Sequence, residues 1–386
     1  MKKAKSILIT LTLLLVMVLP LCLAGCGGNK QQENIPSDSK VIGDITGNKV
    51  VVPKNVTRIA SVGSGALRML TYAGVQDRLV GIESKETVAD KDLIKKPYAY
   101  VNREAFRKLG EEGKIFGTGS FDPATNVEAL VSLNPQVVFA SAFMAPKNME
   151  KLDNMSKSTG IPVVKIKIDT EITTSVARQQ IRDSFRIIGE VCNVKERCDA
   201  VVKKIDDTFA DLDNRTKNID SKQSCYVGAI SLKGKHGLNF TYFNFPCLEA
   251  INTKSILSEK YPNETGGKDI SFEEIVSGNP DNIFVDISNM DEIKKTLPTK
   301  EIMGSVSAIK NNKVHTIISY NYYSTNIEYA FANSYYMGKI LYPEQFADIN
   351  IEDKINELTT FFDGVALYDT MKSFGLEFKQ VDLYAI

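Results

Sequence analysis

Two stretches of this chain follow one template. NVEALVSLNPQVVF (residues 126–139) and SFEEIVSGNPDNIF (residues 271–284) each place a glutamate, then Leu or Ile, then Val-Ser, then Asn-Pro and a β-rich run ending in Phe. Glu128 stands seven residues before Pro135, and Glu273 seven before Pro280. A polar residue that can cap a helix, a short amphipathic turn, an Asn-Pro stop and a buried strand make one helix-then-strand unit. Such a unit cannot bury its apolar face alone. Two copies more than a hundred residues apart imply two layered α/β bodies.

The intervening sequence keeps that rhythm. VIGDITGNKVVVP alternates around Gly47-Asn48, which predicts two short strands closed by a two-residue turn. TRIASVGSGALRMLTYAG predicts a strand over residues 58–62, a Gly-Ser-Gly turn and a helix, with strand RLVGIES next from Arg78. Strand, helix and strand at this spacing pair in parallel through a right-handed crossover. KLDNMSKSTGIPVVKIKI repeats the pattern. Residues 175–218 read as helical, with Asn193 as an interruption. The second part, from Lys195 to Thr216, would be roughly 33 Å long, enough to brace two lobes. QSCYVGAISL then restarts the α/β rhythm, SAIKNNKVHTIIS predicts strand-turn-strand, and a helical tail follows from about Asn326.

The N-terminus carries no fold information. Lys2, Lys3 and Lys5 precede an apolar run ending in Leu23-Ala24-Gly25-Cys26, a secretory signal with small residues at its cleavage site. GGNKQQENIPSDSK is polar and aperiodic, hence a flexible tether. The remainder, about 345 residues, exceeds what one core usually covers. The composition holds 47 basic and 47 acidic residues, and losing those three lysines leaves 44 against 47. With no basic stripe, nucleic acid is not expected as a partner. Cys192, Cys198, Cys225 and Cys247 remain after the signal. Cys225 and Cys247 could bridge in an oxidising compartment, but four cysteines allow three connectivities. No zinc spacing is present. Only His236 and His315 exist, which argues against a bare transition metal held by imidazoles.

Leu-Ala-Gly-Cys resembles the bacterial lipoprotein signal, in which the cysteine, here Cys26, becomes diacylated. Two acyl chains anchor stably where one does not. Together with the D-x-x-G-N-x-V-x-V-P-x-x-V-x-R-I segment (residues 44–59), two α/β lobes and one helical strut, the chain resembles the substrate-binding lipoproteins of ABC importers. The likeness is to the branch for iron-siderophores, haem and cobalamin. It implies two Rossmann-like α/β lobes joined by one long α-helix. The boundaries would be a signal peptide over 1–25, a tether over 26–40, a first lobe over 41–194, a connecting helix over 195–218 and a second lobe over 219–386. It also implies a lipid-anchored, extracytoplasmic monomer, with an ABC permease and its ATPase as partners. Each lobe of that family presents a surface glutamate to arginines of the permease, and the matching positions are Glu128 and Glu273, with Glu274 adjacent. A carboxylate in a first helical turn is favoured by the helix dipole and accepts a bidentate arginine.

The ligand of a two-lobe binder lies between the lobes, against loops at strand ends. Those loops offer Ser64, Tyr98, Tyr100, Ser120, Phe121 and Phe143 on the first lobe. On the second they offer His236, Phe240, Tyr242, Tyr320, Tyr322 and Tyr323. Aromatic walls suit a large, flat, partly apolar metal complex, a ferric siderophore, haem or cobalamin, carried as cargo with no resident cofactor. His236 could ligate haem iron or corrin cobalt, or be a plain loop histidine. Arg68 could pair with an anionic ligand or lie on a solvated helix face. Affinity would follow from a hinge motion of the lobes. Another solute, a protein partner or a secreted enzyme are the alternatives. The enzyme is disfavoured because Gly63-Ser64-Gly65 lacks the full G-x-S-x-G elbow, no triad signature surrounds the histidines, and Gly117-Thr118-Gly119 lacks a P-loop lysine.

Overall fold

The computed structural model describes residues 35–119, 126–220 and 222–386. The signal peptide, Cys26, most of the tether, and Ser120 and Phe121 lie outside the described residues. From Asp38 onward the chain forms one compact unit. It opens with antiparallel strands β1 (Ser39–Gly43) and β2 (Lys49–Pro53). The turn between them is longer than two residues. The Asp44 carboxylate accepts from the backbone of Thr46 and Asn48 at 2.9 and 3.0 Å, an Asx-type knot that competes with the tight hairpin.

The first lobe is a five-stranded parallel sheet: β3 (Ile59–Val62), β4 (Leu79–Glu83), β5 (Ile115–Gly117), β6 (Val137–Ser141) and β7 (Val163–Ile166), in spatial order β5-β4-β3-β6-β7. Every residue of β3, β6 and β7 is buried, as expected of parallel strands covered on both faces. The lobe's helices include α1 (Ala66–Tyr72), α2 (Val127–Ser132) and α3 (Pro146–Thr159).

Two antiparallel helices follow, α4 (Ser175–Cys192) and α5 (Lys195–Thr216). Asn193, at φ 56°, is the left-handed cap that ends α4. The strut is α5. Near its start Arg197 Nε donates to the Tyr72 carbonyl of the first lobe at 2.8 Å. At its far end Asp213 Oδ1 accepts from Asn252 of the second lobe at 3.0 Å.

The second sheet comprises β8 (Cys225–Gly228), β9 (Phe240–Phe243), β10 (Gly266–Asp269), β11 (Asn282–Asp286) and β12 (Val314–Ile317), in order β10-β9-β8-β11-β12. Counted within each lobe, both orders read 3-2-1-4-5. The repeated template sits at the same place in each. Its helix is α2 in one lobe and α6 (Phe272–Gly278) in the other, and its strand is the fourth, β6 or β11. One strand differs: β9 runs antiparallel to β8, because a loop joins them where α1 crosses over in the first lobe. SAIKNNKV is a short helix (Ser307–Lys310) and a turn before β12, not the expected strand.

The chain then crosses back. Helix α7 (Ile327–Leu341) bridges both lobes: Tyr329 Oη donates to the Ile94 carbonyl of the first at 2.9 Å, and Asn333 pairs with the Ile318 amide and carbonyl of the second at 2.9 and 2.8 Å. Helix α8 (Ile351–Asp363) packs on the first lobe, where the rings of Tyr72 and Phe362 lie 5.0 Å apart. The strut is therefore joined by a second tie between the lobes. The four cysteines among the described residues are free and buried, so the Cys225–Cys247 bridge is not formed. Among the described residues no helix is long and apolar enough to cross a membrane.

Candidate functional site

The carboxyl ends of both sheets carry polar groups in an otherwise apolar setting, and the two lobes satisfy them differently. In the second lobe the buried Asp286 ends β11. Its carboxylate accepts from Ser319 Oγ at 2.6 and 2.7 Å, from the Ser288 amide at 2.9 Å and from the Ser231 amide at 3.3 Å. Burial pushes this carboxyl above its ordinary value, and the serines pull against that shift. Every donor comes from the same lobe.

In the first lobe Glu83 ends β4 and is 4 % exposed. Its Oε2 accepts from the Gly63 amide at 3.0 Å and from Tyr323 Oη at 2.9 Å, while Oε1 has no partner among the described residues. Desolvation pushes its carboxyl up to about 7. Tyr323 belongs to the other lobe, on a finger over residues 319–326 that leaves β12 and reaches across to the first sheet. Tyr323 and Ser324 lie at φ 54° and 76°, left-handed backbone that a non-glycine residue holds only when its surroundings fix it.

Arg68 is what fixes it. Fully buried on α1, it donates from Nη1 to the Tyr323 carbonyl and from Nη2 to the Tyr322 carbonyl, both at 3.0 Å. Its guanidinium also lies 4.8 Å from the centre of the Tyr98 ring. Thr325 donates to the Asp169 carbonyl at 2.9 Å, and Asn326 Nδ2 to the Lys95 carbonyl at 2.9 Å. Gly65, at φ 85°, lets the finger approach: a Cβ there would lie 2.8 Å from Ser324 Oγ and 2.5 Å from Ile168. Arg68 is thus neither a solvated face nor an open anion site.

The expected ligand contacts divide. Tyr98, Phe240, Tyr242 and Tyr320 are core residues. Tyr98 Oη donates to Glu86 at 2.9 Å, and Phe245 packs edge-on against both Tyr242 and Tyr320. Tyr100 packs on Phe374 and Arg103. Ser64 is buried in the β3–α1 turn. Phe143, 42 % exposed just after β6, is a free ring, with Lys167 Nζ 5.7 Å from its centre. His236 stacks on Phe240 at 3.6 Å and sets Nε2 2.8 Å from the Leu232 carbonyl, which leaves Nδ1 alone for any metal. Tyr322 and Tyr323 are half-buried in the finger, under Lys95 and Lys96 at 5.3 and 5.2 Å. Sequence reasoning missed Glu83 and Asp286. Their signal was a carboxylate closing an apolar strand, in LVGIE and NIFVD.

A separate groove of about 480 Å³ lies between α5, α7 and α8. Its lining carries three basic and five acidic residues, with Arg215 on Asp211 and Asp348 at 2.9 and 2.6 Å, and Lys354 on Glu357 at 2.5 Å. It shares no residue with the strand-end loops.

The two template glutamates occupy one structural position. Each is the second residue of its helix, Glu128 in α2 and Glu273 in α6, and both are exposed. Each helix is capped by the residue before it: Asn126 accepts from the Ala129 amide at 3.0 Å, Ser271 from the Glu274 amide at 3.3 Å. Each ends on a left-handed asparagine before the proline, Asn134 at φ 48° and Asn279 at φ 39°. Glu274 is committed elsewhere. It closes a capping box with Ser271 and accepts from Tyr261 Oη at 2.7 Å, which holds its carboxyl below the usual range.

Comparison with known proteins agrees with this architecture. An uncharacterized ABC transporter substrate-binding lipoprotein of Bacillus subtilis is 23% identical over 326 residues, covering 82% of this chain and 90% of the relative. The molybdate-binding protein of Haemophilus influenzae is 22% identical over 82% of this chain and 89% of its own length. Its molybdate-bound crystal structure superposes with a TM-score of 0.62, covering 85% of this chain and 98% of the other. The petrobactin-binding protein of Bacillus subtilis is 21% identical over 81% of this chain and 91% of its own length. Residues 59–320 match the periplasmic binding protein family, and the chain belongs to it.

Proposed function

We propose that the chain is the extracytoplasmic, lipid-anchored solute-binding component of an ABC importer, working as a monomer without catalysis. It would capture a metal complex between its lobes and deliver it to a permease driven by its ATPase. The observation that carries this reading is the pair of exposed glutamates, Glu128 and Glu273, at the second position of equivalent helices on two equivalent lobes. Such a pair can engage two arginine sites at once, which orients a docked protein as well as attracting it. Cys26 after Leu-Ala-Gly is the proposed lipid attachment, and the Bacillus subtilis relative that is named a lipoprotein supports it.

The cargo is proposed from the groups that the strand-end loops present. Phe143 and His236 offer ring faces and Lys85 and Lys233 exposed cations, while Lys167 and Lys235 lie 3.1 and 4.0 Å from Asp169 and Asp291. Rings and lysines recognise the outer shell of a complex whose metal is already ligated, so an anionic ferric chelate fits best. The His236 Nε2 contact with the Leu232 carbonyl leaves Nδ1 as the nitrogen that would face haem iron or corrin cobalt, so these stay among the candidates. A petrobactin-binding relative is consistent with a ferric chelate, and a molybdate-binding one adds a metal oxyanion to the candidates.

Thermal denaturation with ferric siderophores, haem, cobalamin and molybdate tests the cargo. A ligand at a hundred times its Kd stabilises by about 2.7 kcal/mol. A rise with none of the four would sink the metal-complex reading. In a reconstituted transporter, Glu128→Arg with Glu273→Arg should abolish uptake and leave ligand affinity unchanged. Loss of ligand affinity would place the glutamates in the binding site instead and overturn the docking role.

A further inference from the structure

We propose that the Glu83–Tyr323 contact is a proton-linked latch that holds the cleft shut and releases it as Glu83 ionises. The proposal rests on the reading of the space between the lobes as the solute site. It starts from geometry. Glu83 is the carboxylate at the head of the first sheet whose second hydrogen-bond donor comes from the opposite lobe, and its buried Oε1 has no partner among the described residues. A buried carboxylate with one oxygen unsatisfied is stable chiefly as the neutral acid.

Among the described residues, the charged and titratable groups around it come from several segments. Lys85 and Glu86 follow β4, Lys96 and Tyr98 come from the next segment, Arg68 from α1 and Tyr323 from the finger. Lys96 is bonded to Glu86 at 3.0 Å, and both Arg68 terminal nitrogens are bonded to the finger carbonyls. Lys85 is exposed, and Lys96 and Arg68 are bonded elsewhere; Lys96 lowers the Glu83 carboxyl less than burial raises it, so burial prevails and the closed form holds a proton near neutrality.

Separating the lobes withdraws the Tyr323 phenol and hydrates Glu83, returning its carboxyl to the ordinary value near 4.3. Between about pH 4.3 and pH 7 the closed form thus binds more protons than the open form. Opening is favoured as pH rises through that window and resisted as pH falls. The change in the open-to-closed ratio between pH 5 and pH 8 is at most on the order of fifty- to a hundredfold.

Spin labels at Lys147→Cys and Lys294→Cys, exposed positions on opposite lobes, would report the separation by pulsed electron resonance across that pH range. The open distance should grow from pH 5 to pH 8 in the otherwise unaltered protein and become independent of pH in Glu83→Gln. Tyr323→Phe should open the cleft further at every pH and keep the slope. A flat profile in the unaltered protein, or the same slope in Glu83→Gln, overturns the latch. Should Glu83→Gln not fold, a carbon-13 titration of the Glu83 carboxyl decides: a midpoint near 7 supports the latch, and one near 4.3 overturns it. No ligand is added, so failure here leaves the importer reading intact, and a failed ligand screen leaves the latch intact.

Discussion

The two lobes share one strand order and one helix-then-strand template, yet they treat their strand ends in opposite ways. The second lobe closes its buried carboxylate, Asp286, with its own serines and amides. The first lobe leaves Arg68 and Glu83 to be completed by a finger from across the cleft. An aspartate surrounded by local donors is set when its own lobe folds. An arginine and a glutamate that meet their partners only across the cleft are set by how the lobes sit together. The second lobe is a finished surface, and the first is half of a contact.

Removing Arg68 should therefore produce the largest effect on the molecule. Arg68→Ala leaves the Tyr322 and Tyr323 carbonyls without their donors and takes a positive charge from beside the buried Glu328 and Asp363, as well as opening a cavity. Loss of one partner of a buried charge network costs about 3–5 kcal/mol, read as a lower urea midpoint. Asp286→Asn keeps the size and most of the acceptors, so its cost should be about 1–2 kcal/mol. If the two variants lose equal stability, the contrast between the lobes is wrong.

The lobes should also answer pH in opposite senses. Glu83 has a raised native pKa, so the stability it lends is present at low pH and is lost as pH rises from about 4.3 towards 7. His315, between Phe284 and Tyr336 in the second lobe, is pushed down to about 4 by burial and by Lys313. The unfolded chain then binds the extra proton, so stability is lost as pH falls from about 6.5 to 4. The two windows overlap between about pH 4.3 and 6.5, so urea midpoints across it should rise with pH in Glu83→Gln, where His315 acts alone, and fall with pH in His315→Phe, where Glu83 acts alone. An unchanged curve in either variant removes that residue from the account.

The architecture was legible because it is written in local signals. Alternating apolar runs, the capping residues Asn126 and Ser271 and the Asn-Pro stops each act within a few residues, and the strut could be read from one long apolar stripe. The site was less legible because its groups meet over long separations. Arg68 pairs with carbonyls more than 250 positions away, and Tyr323 with Glu83 at a similar remove. Tyr98, Tyr242 and Tyr320 read as ligand walls because an aromatic at a strand end looks the same in a cleft or in a core. Only the packing distinguishes them.

The left-handed asparagines sharpen the repeat itself. Replacing either by alanine puts into the left-handed region a residue that pays about 1–2 kcal/mol there and lacks the side-chain amide whose local hydrogen bonds let asparagine adopt it. Asn279 also accepts from the Ser307 amide through its side chain at 2.7 Å, whereas Asn134 contributes its backbone carbonyl to Arg58 at 3.0 Å. Asn279→Ala should therefore exceed Asn134→Ala by about 0.5–1.5 kcal/mol, the value of one hydrogen bond, in denaturant unfolding. Equal losses would mean that the side-chain bond contributes nothing.

The smallest effects fall on the acidic first turns. Among the described residues Glu128 and Glu273 make no side-chain hydrogen bond or ion pair. Their replacement by alanine removes only a favourable position near a helix N-terminus, worth about 0.3–1 kcal/mol when exposed. Glu274→Ala removes that and two accepted bonds as well, from Tyr261 Oη at 2.7 Å and the Ser271 amide at 3.1 Å. Its cost should reach about 1–2 kcal/mol. Measured side by side, the three alanine variants separate a glutamate that holds its helix from two that do not. A Glu273→Ala loss as large as that of Glu274→Ala would give Glu273 a role within the fold. It would then no longer be free for a partner outside it, and the pairing of Glu128 with Glu273 across the two lobes would fail.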